Sequence, residues 1–164
     1  MRIPIRTRPD ISESSTVAPH FELGRRGEAL ARAHLERAGY RIVAANFNIP
    51  IGRNTRDAIV NAEIDIIAYD GPILCFIEVK TRASDDFATP LANVDLRKRR
   101  QIARAARGYR RMLGLIGGAY RFDVVSVVLP PQKQSEGLPR IELLKSFWTD
   151  EKLHKRKWQD ATWD

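Results

Sequence analysis

The 164-residue sequence predicts a single α/β domain in which helices flank a mixed β-sheet. Three observations predict it. A helical apolar period opens the patterned part of the chain, a set of short β-branched runs follows, and a strongly basic helical stretch separates those runs from two further apolar strands. The length suits one hydrophobic core, and a hydrophobic content of 43% is enough to fill it.

The elements follow in order. Residues 1–20 hold three prolines and no sustained period, so they read as a flexible leader. Residues 21–38 carry Leu23, Gly27, Leu30, Ala31, Ala33, His34 and Leu35 toward one side, the pattern of a helix, and Gly39 supplies its stop. Residues 40–47 alternate as a strand. Residues 48–61 contain Pro50, Gly52, Asn54 and Asp57 and read as a loop. Two β-branched runs, 63–69 and 73–81, flank Asp70-Gly71-Pro72 and form a hairpin signal. A second helix is expected over 95–113, with Asp95 as N-cap and Gly114 ending it. Residues 119–129 read as a buried strand and 141–147 as a short final one. The expected domain is therefore 21–148, followed by a basic, tryptophan-bearing tail at 149–164.

Composition narrows the function classes. A net charge of +8 and a pI near 10.1 favour polyanionic partners, of which nucleic acid is the commonest in a cell. The single cysteine, Cys75, leaves no intramolecular disulfide and no cysteine zinc cluster. It sits in an apolar run and reads as a small core residue. No stretch reaches the roughly 20 apolar residues of a membrane span. The first twenty residues lack a signal-peptide core, and Asp10 and Glu13 are unlike a transit peptide, so the expected compartment is the cytoplasm with no membrane partner.

The residues that carry chemistry lie on the hairpin. Successive strand residues face opposite sides, so Glu78 and Lys80 project together, with Phe76 and Arg82, away from Cys75, Ile77 and Val79. By the same rule Glu63 and Asp65 share a face opposite Ile64 and Ile66. An Asp70-Gly71 turn would need an N–H on residue 72, which Pro72 lacks. A four-residue loop over 70–73 instead sets Tyr69 opposite Leu74 and Asp65 opposite Glu78. The shorter turn shifts the pairing by two and keeps both acids on one face. Two carboxylates about 4 Å apart repel by roughly 4 kcal/mol at an effective dielectric near 20. A raised pKa, the Lys80 ammonium or a bound cation must offset that. Oxygen-preferring Mg²⁺ or Mn²⁺ suits paired carboxylates. A solvated strand face neutralised by Lys80 and Arg82 is the competing reading.

The segments GRRGEALARAHLERAGYRIVAANF, AEIDIIAYDG, FIEVKTR and RFDVVSV resemble the YraN-like family of bacterial proteins, within the restriction-endonuclease-like superfamily that also holds Holliday-junction resolvases. The resemblance spans residues 21–147. It implies an α-β-β-β-α-β core with a PD-(D/E)xK-type active site, in which Glu28, Asp65, Glu78 and Lys80 occupy the catalytic positions. It further implies that Asp65 and Glu78 hold Mg²⁺ or Mn²⁺, that Lys80 orients water or stabilises phosphoryl charge, and that a homodimer is the partner state of resolvase relatives. Asn61-Ala62 stands where the family has two glycines, and the 48–61 connection is longer than usual.

Between Arg97 and Arg111, eight of fifteen residues are Lys or Arg and none is acidic. Ile102, Ala106, Tyr109 and Leu113 form an apolar stripe. Arg100, Arg104, Arg107 and Arg111 run along another side, where an ordinary solvated face would mix both signs. Together with Arg82 and Lys98, these arginines are the expected nucleic-acid contacts, DNA ahead of RNA. The expected function is a metal-dependent nuclease, structure-selective on DNA by analogy with resolvases. The alternatives are a nucleic-acid-binding protein of the same fold with little or no activity, and an interaction protein whose acidic cluster is only an ion-pair network.

Overall fold

A computed structural model describes residues 19–83, 94–130 and 137–150. The expected leader and tail lie outside these residues except at 19–20 and 149–150. The order is α1 (Pro19–Arg37), β1 (Arg41–Arg53), β2 (Ile59–Asp70), β3 (Ile73–Arg82), α2 (Leu96–Met112), β4 (Tyr120–Val128) and β5 (Arg140–Trp148). The five strands form one sheet in sequence order, with β3 and β4 parallel and every other neighbouring pair antiparallel. The expected mixed sheet with flanking helices is the observed architecture.

The two helices cover the two faces. α1 lies against β3 and β4, and α2 against β1 and β2. One core gathers Ala31 and Leu35 of α1 with Ile66, Ile77 and Val125. The other gathers Ile102, Ala106 and Tyr109 of α2 with Ile64, Phe76 and Phe122. Because β3 and β4 are covered on both sides, their sequences are near-continuous apolar runs rather than alternating ones. A polar side chain on either strand is therefore conspicuous.

Four local expectations are corrected. Residues 48–61 are not a loop: β1 continues to Arg53 and β2 begins at Ile59. Pro50 and Gly52 are accommodated because β1 is an outer strand with a register shift between them, the setting in which a sheet tolerates proline. The hairpin has the expected Tyr69–Leu74 register, but Asp70 also pairs with Ile73, which shortens the loop to Gly71-Pro72. Gly71 there adopts φ 56°, a left-handed conformation that glycine takes at little cost. Ile64 and Ile66 do not share a face: they enter opposite cores, so β2 changes face at Asp65. Finally, Leu113 caps α2 and is exposed rather than continuing its apolar stripe.

Candidate functional site

The change of face at Asp65 builds the site. The β2–β3 ladder ends at the Ile66–Ile77 pair. One step beyond, where Asp65 and Glu78 would pair, the strands part. The Asp65 carboxylate fills the gap, its Oδ2 accepting the Val79 backbone N–H at 2.7 Å. β3 meanwhile stays paired with β4 as far as Arg82 and Val128. On the other side of β2, Asn46 falls opposite Asp65, between the Ala45–Ile66 and Phe47–Ile64 pairs. Its φ of 51° is a left-handed conformation, and asparagine is among the few side-chain-bearing residues that visit it readily. Both strands are thus irregular at one level, and that level holds the acid.

Glu78 is buried, with its side chain only 3% exposed. Its two oxygens meet different lysines. Oε1 accepts a hydrogen bond from Lys80 Nζ at 2.8 Å. Oε2 lies 3.3 Å from Lys98 Nζ, close enough for charge pairing, yet accepts no aligned hydrogen bond among the described residues. A buried carboxylate oxygen without such a bond has its desolvation cost offset only by the nearby charge. Burial and then the charge of Glu78 push the Asp65 carboxyl up to about 7, with the Val79 amide opposing the rise. Asp65 and Glu78 thus lie close enough for one charge to act on the other, and Lys80 bonds Glu78, but the expected direct cross-strand pairing of the two acids is absent.

Glu28 reaches the same place from α1. With Arg25, Ala29, Arg32, Ala45, Asn46, Asp65 and Ile66 it lines an open pocket of about 170 Å³, and its charge acts on Asp65. Gly27 permits this approach. A Cβ built there would stand 1.8 Å from Thr81 Oγ1 and 2.7 Å from Thr81 Cβ, so only a residue without a side chain lets α1 settle onto β3 here.

A divalent cation was implied by the resemblance, and the donor set can be compared with what such an ion requires. Among the described residues no group of three or more His, Cys, Asp or Glu side chains is placed to hold a metal ion. Two carboxylates remain, Asp65 and Glu78, one shifted toward its protonated form and the other presenting a buried oxygen without an aligned donor. Of the two, Asp65 lines the open pocket beside Glu28, and the chemistry of two carboxylates suits an oxygen-preferring ion that keeps part of its water shell, the habit of Mg²⁺.

The eight cations of α2 divide into two groups. Lys98 pairs with Glu78, and Arg107 Nη1 stands 3.4 Å from Asp150, which also accepts from the Tyr120 hydroxyl at 3.0 Å. Arg99 donates to the Val94 carbonyl and lies over the Phe147 ring. Arg110 lies 3.7 Å over the Tyr120 ring and donates to the carbonyls of Leu115, Ile116 and Gly118. By contrast Arg97, Arg100, Arg104 and Arg111 are exposed and form no ion pair with the described residues. Their spacing confines them to an arc of about 60°. Arg82 stands half-buried at the end of β3, where its carbonyl accepts from the Leu129 N–H at 2.8 Å.

At the far end of the sheet a second polar cluster has a structural form. Arg121 joins buried Asp123, Asp70 and the Tyr40 hydroxyl, and Lys145 adds a 2.8 Å bond to Asp70. Cys75 is fully buried nearby, and burial pushes its thiol up to about 12, so it behaves as the core residue its context predicted.

The sequence pattern singled out Asp65, Glu78 and Lys80 but not Asn46, whose only signal is tolerance of left-handed backbone. It also named Lys98 among the nucleic-acid contacts without signalling that its ammonium stands 3.3 Å from Glu78 Oε2. Taken together, the parted strands and the acid–lysine cluster define an α/β protein whose polar centre lies where a mixed sheet opens between two helices. The chain belongs to the uncharacterised protein family UPF0102, whose family model matches residues 27–127 and so includes Glu28, Asp65, Glu78 and Lys80. A UPF0102 protein of Koribacter versatilis is 45% identical over 127 residues, 77% of this chain and 79% of the relative. One from Moorella thermoacetica is 43% identical over 74% of this chain and 91% of its own length, and one from Chlorobaculum tepidum is 48% identical over 68% and 78%.

Proposed function

We propose that the protein is a divalent-metal-dependent nuclease that hydrolyses nucleic-acid phosphodiester bonds, with branched or otherwise structured DNA as its preferred substrate. The observation that carries this reading is Glu78, a carboxylate buried in a central strand, hydrogen-bonded to Lys80 and adjacent to an aspartate pushed up to about 7. A perturbed aspartate beside a buried glutamate and a lysine is an arrangement expected where phosphoryl chemistry takes place. Asp65 and Glu78, with Glu28 beside them, would hold Mg²⁺ or Mn²⁺, which when bound supplies polarisation of the phosphate and a more acidic water. Lys80, with 29% of its side chain exposed, extends from its Glu78 anchor toward solvent and is the group to stabilise charge on a phosphoryl oxygen. The exposed arginines of α2 would hold the phosphate backbone without reading bases, in the cytoplasm, alone or as a homodimer.

Incubation with branched, flapped and linear DNA tests the reading, in Mn²⁺ and in chelator. Cleavage is expected in Mn²⁺ alone, with Glu78→Ala and Lys80→Ala each reducing the rate by roughly 10² or more. Cleavage that persists in both variants sinks the assignment. One observation favours a second reading: both Glu78 oxygens already face lysines. A carboxylate so neutralised suits a nucleic-acid-binding protein of this fold with little activity, and salt-sensitive binding without cleavage would select it.

A further inference from the structure

We propose that Lys98 is a displaceable internal counter-ion of the acidic centre, which holds Glu78 Oε2 in the cation-free protein and competes with a divalent cation for that oxygen. The inference rests on the metal-dependent reading above and extends it to how the ion gains entry.

The two lysines on Glu78 differ in how they are fixed. Lys80 sits two residues away on the same strand, so the backbone of β3 presets its 2.8 Å hydrogen bond to Oε1. Lys98 arrives from a separate element, the first turn of α2, where its own N–H bonds the Asp95 cap at 2.7 Å. Its ammonium makes two loose contacts, 3.3 Å to Oε2 without hydrogen-bond alignment and 3.5 Å to the Glu63 carbonyl, at the outer limit of a hydrogen bond. Thirty per cent of the side chain is exposed, so its four-carbon stem has room to swing outward. A buried carboxylate oxygen requires a positive neighbour. Lys98 provides it in the protein alone, and a hard divalent ion binds the same oxygen more strongly while repelling the ammonium. The two cations therefore exclude one another.

Manganese uptake measured by electron paramagnetic resonance of free Mn²⁺, on the full chain without nucleic acid, tests this. Lys98→Gln and Lys98→Met should bind Mn²⁺ about tenfold more tightly than the unmodified protein, a difference of about 1.4 kcal/mol. Lys98→Arg retains the charge and should not gain affinity. Arg37→Gln, which removes one exposed charge from the end of α1, should also leave affinity unchanged. Thermal unfolding gives an independent readout. In chelator, Lys98→Gln should melt below the unmodified protein, because Oε2 has lost its cation, and Mn²⁺ should raise its midpoint by more. Equal affinities, or equal Mn²⁺ responses, overturn the proposal. If the unmodified chain binds Mn²⁺, Glu78→Gln abolishes binding and Lys98→Gln changes nothing, the counter-ion role falls while the metal reading stands. If no form takes up Mn²⁺, both fall.

Discussion

A carboxylate in a folded chain draws on nearby cations and donors, the more so when it is buried, and two acids here do so with different partners. Glu78 depends on lysines from two elements, one of them loosely held. Asp70 is settled more firmly. Hydrogen bonds from Lys145 and then Arg121 hold its carboxyl down at about 2, below its ordinary 3.8. A folded-state value below the unfolded one means that the ionised form stabilises the fold at and above about pH 4. That stabilisation is lost as pH falls from 4 toward 2. Urea midpoints measured across that window should therefore fall less steeply for Asp70→Asn than for the unmodified chain. Superimposable acid limbs would show that the cluster contributes nothing. At this scale the sequence was informative wherever local rules decide. Pro72 removes an N–H, which fixes the hairpin register and brings Asp65 to Glu78. It did not reveal that Lys98 meets Glu78, because helical period locates a side chain around its own axis, whereas its partner depends on how α2 returns across the sheet.

Among the elements, α1 and β3 meet with no room to spare, and Gly27 is where they meet. Gly27→Ala places a methyl group inside the Thr81 side chain, and overpacking of this kind costs about 1–3 kcal/mol. It also lifts Glu28 away from Asp65. Denaturant unfolding should show the loss, and adding Thr81→Ala should restore part of it, since the contact with Thr81 Cβ at 2.7 Å remains. An unchanged Gly27→Ala protein would mean that the helix shifts freely. The number, order and kind of elements were legible because periods of 3.6 and 2 are properties of the local chain. The true length of β1 was not. Pro50 and Gly52 signal a break in an isolated segment, and only a place at the edge of the sheet makes them tolerable. The change of face at Asp65 was equally hidden, because strict alternation is the assumption by which strands are read.

For the molecule as a whole, an excess of eight positive charges favours polyanions at long range, and under the proposed function the four exposed arginines of α2 would give that attraction a location. Replacing Arg100, Arg104 and Arg111 together with alanine should weaken DNA binding and flatten its dependence on salt. The log–log slope should become shallower by about 2.7, at roughly 0.9 for each phosphate that no longer meets an arginine. Titrations at several salt concentrations measure it, and an unchanged slope would remove this helix from the interface. No helix among the described residues is long and apolar enough to cross a membrane.

The proline in β1 has a consequence for how molecules meet one another. An outermost strand with a full row of amide hydrogens invites a neighbouring copy to extend the sheet, the first step toward fibrous accretion. Pro50 carries no amide hydrogen, and the register irregularity between it and Gly52 interrupts a regular template. This border is thereby blunted against lateral growth.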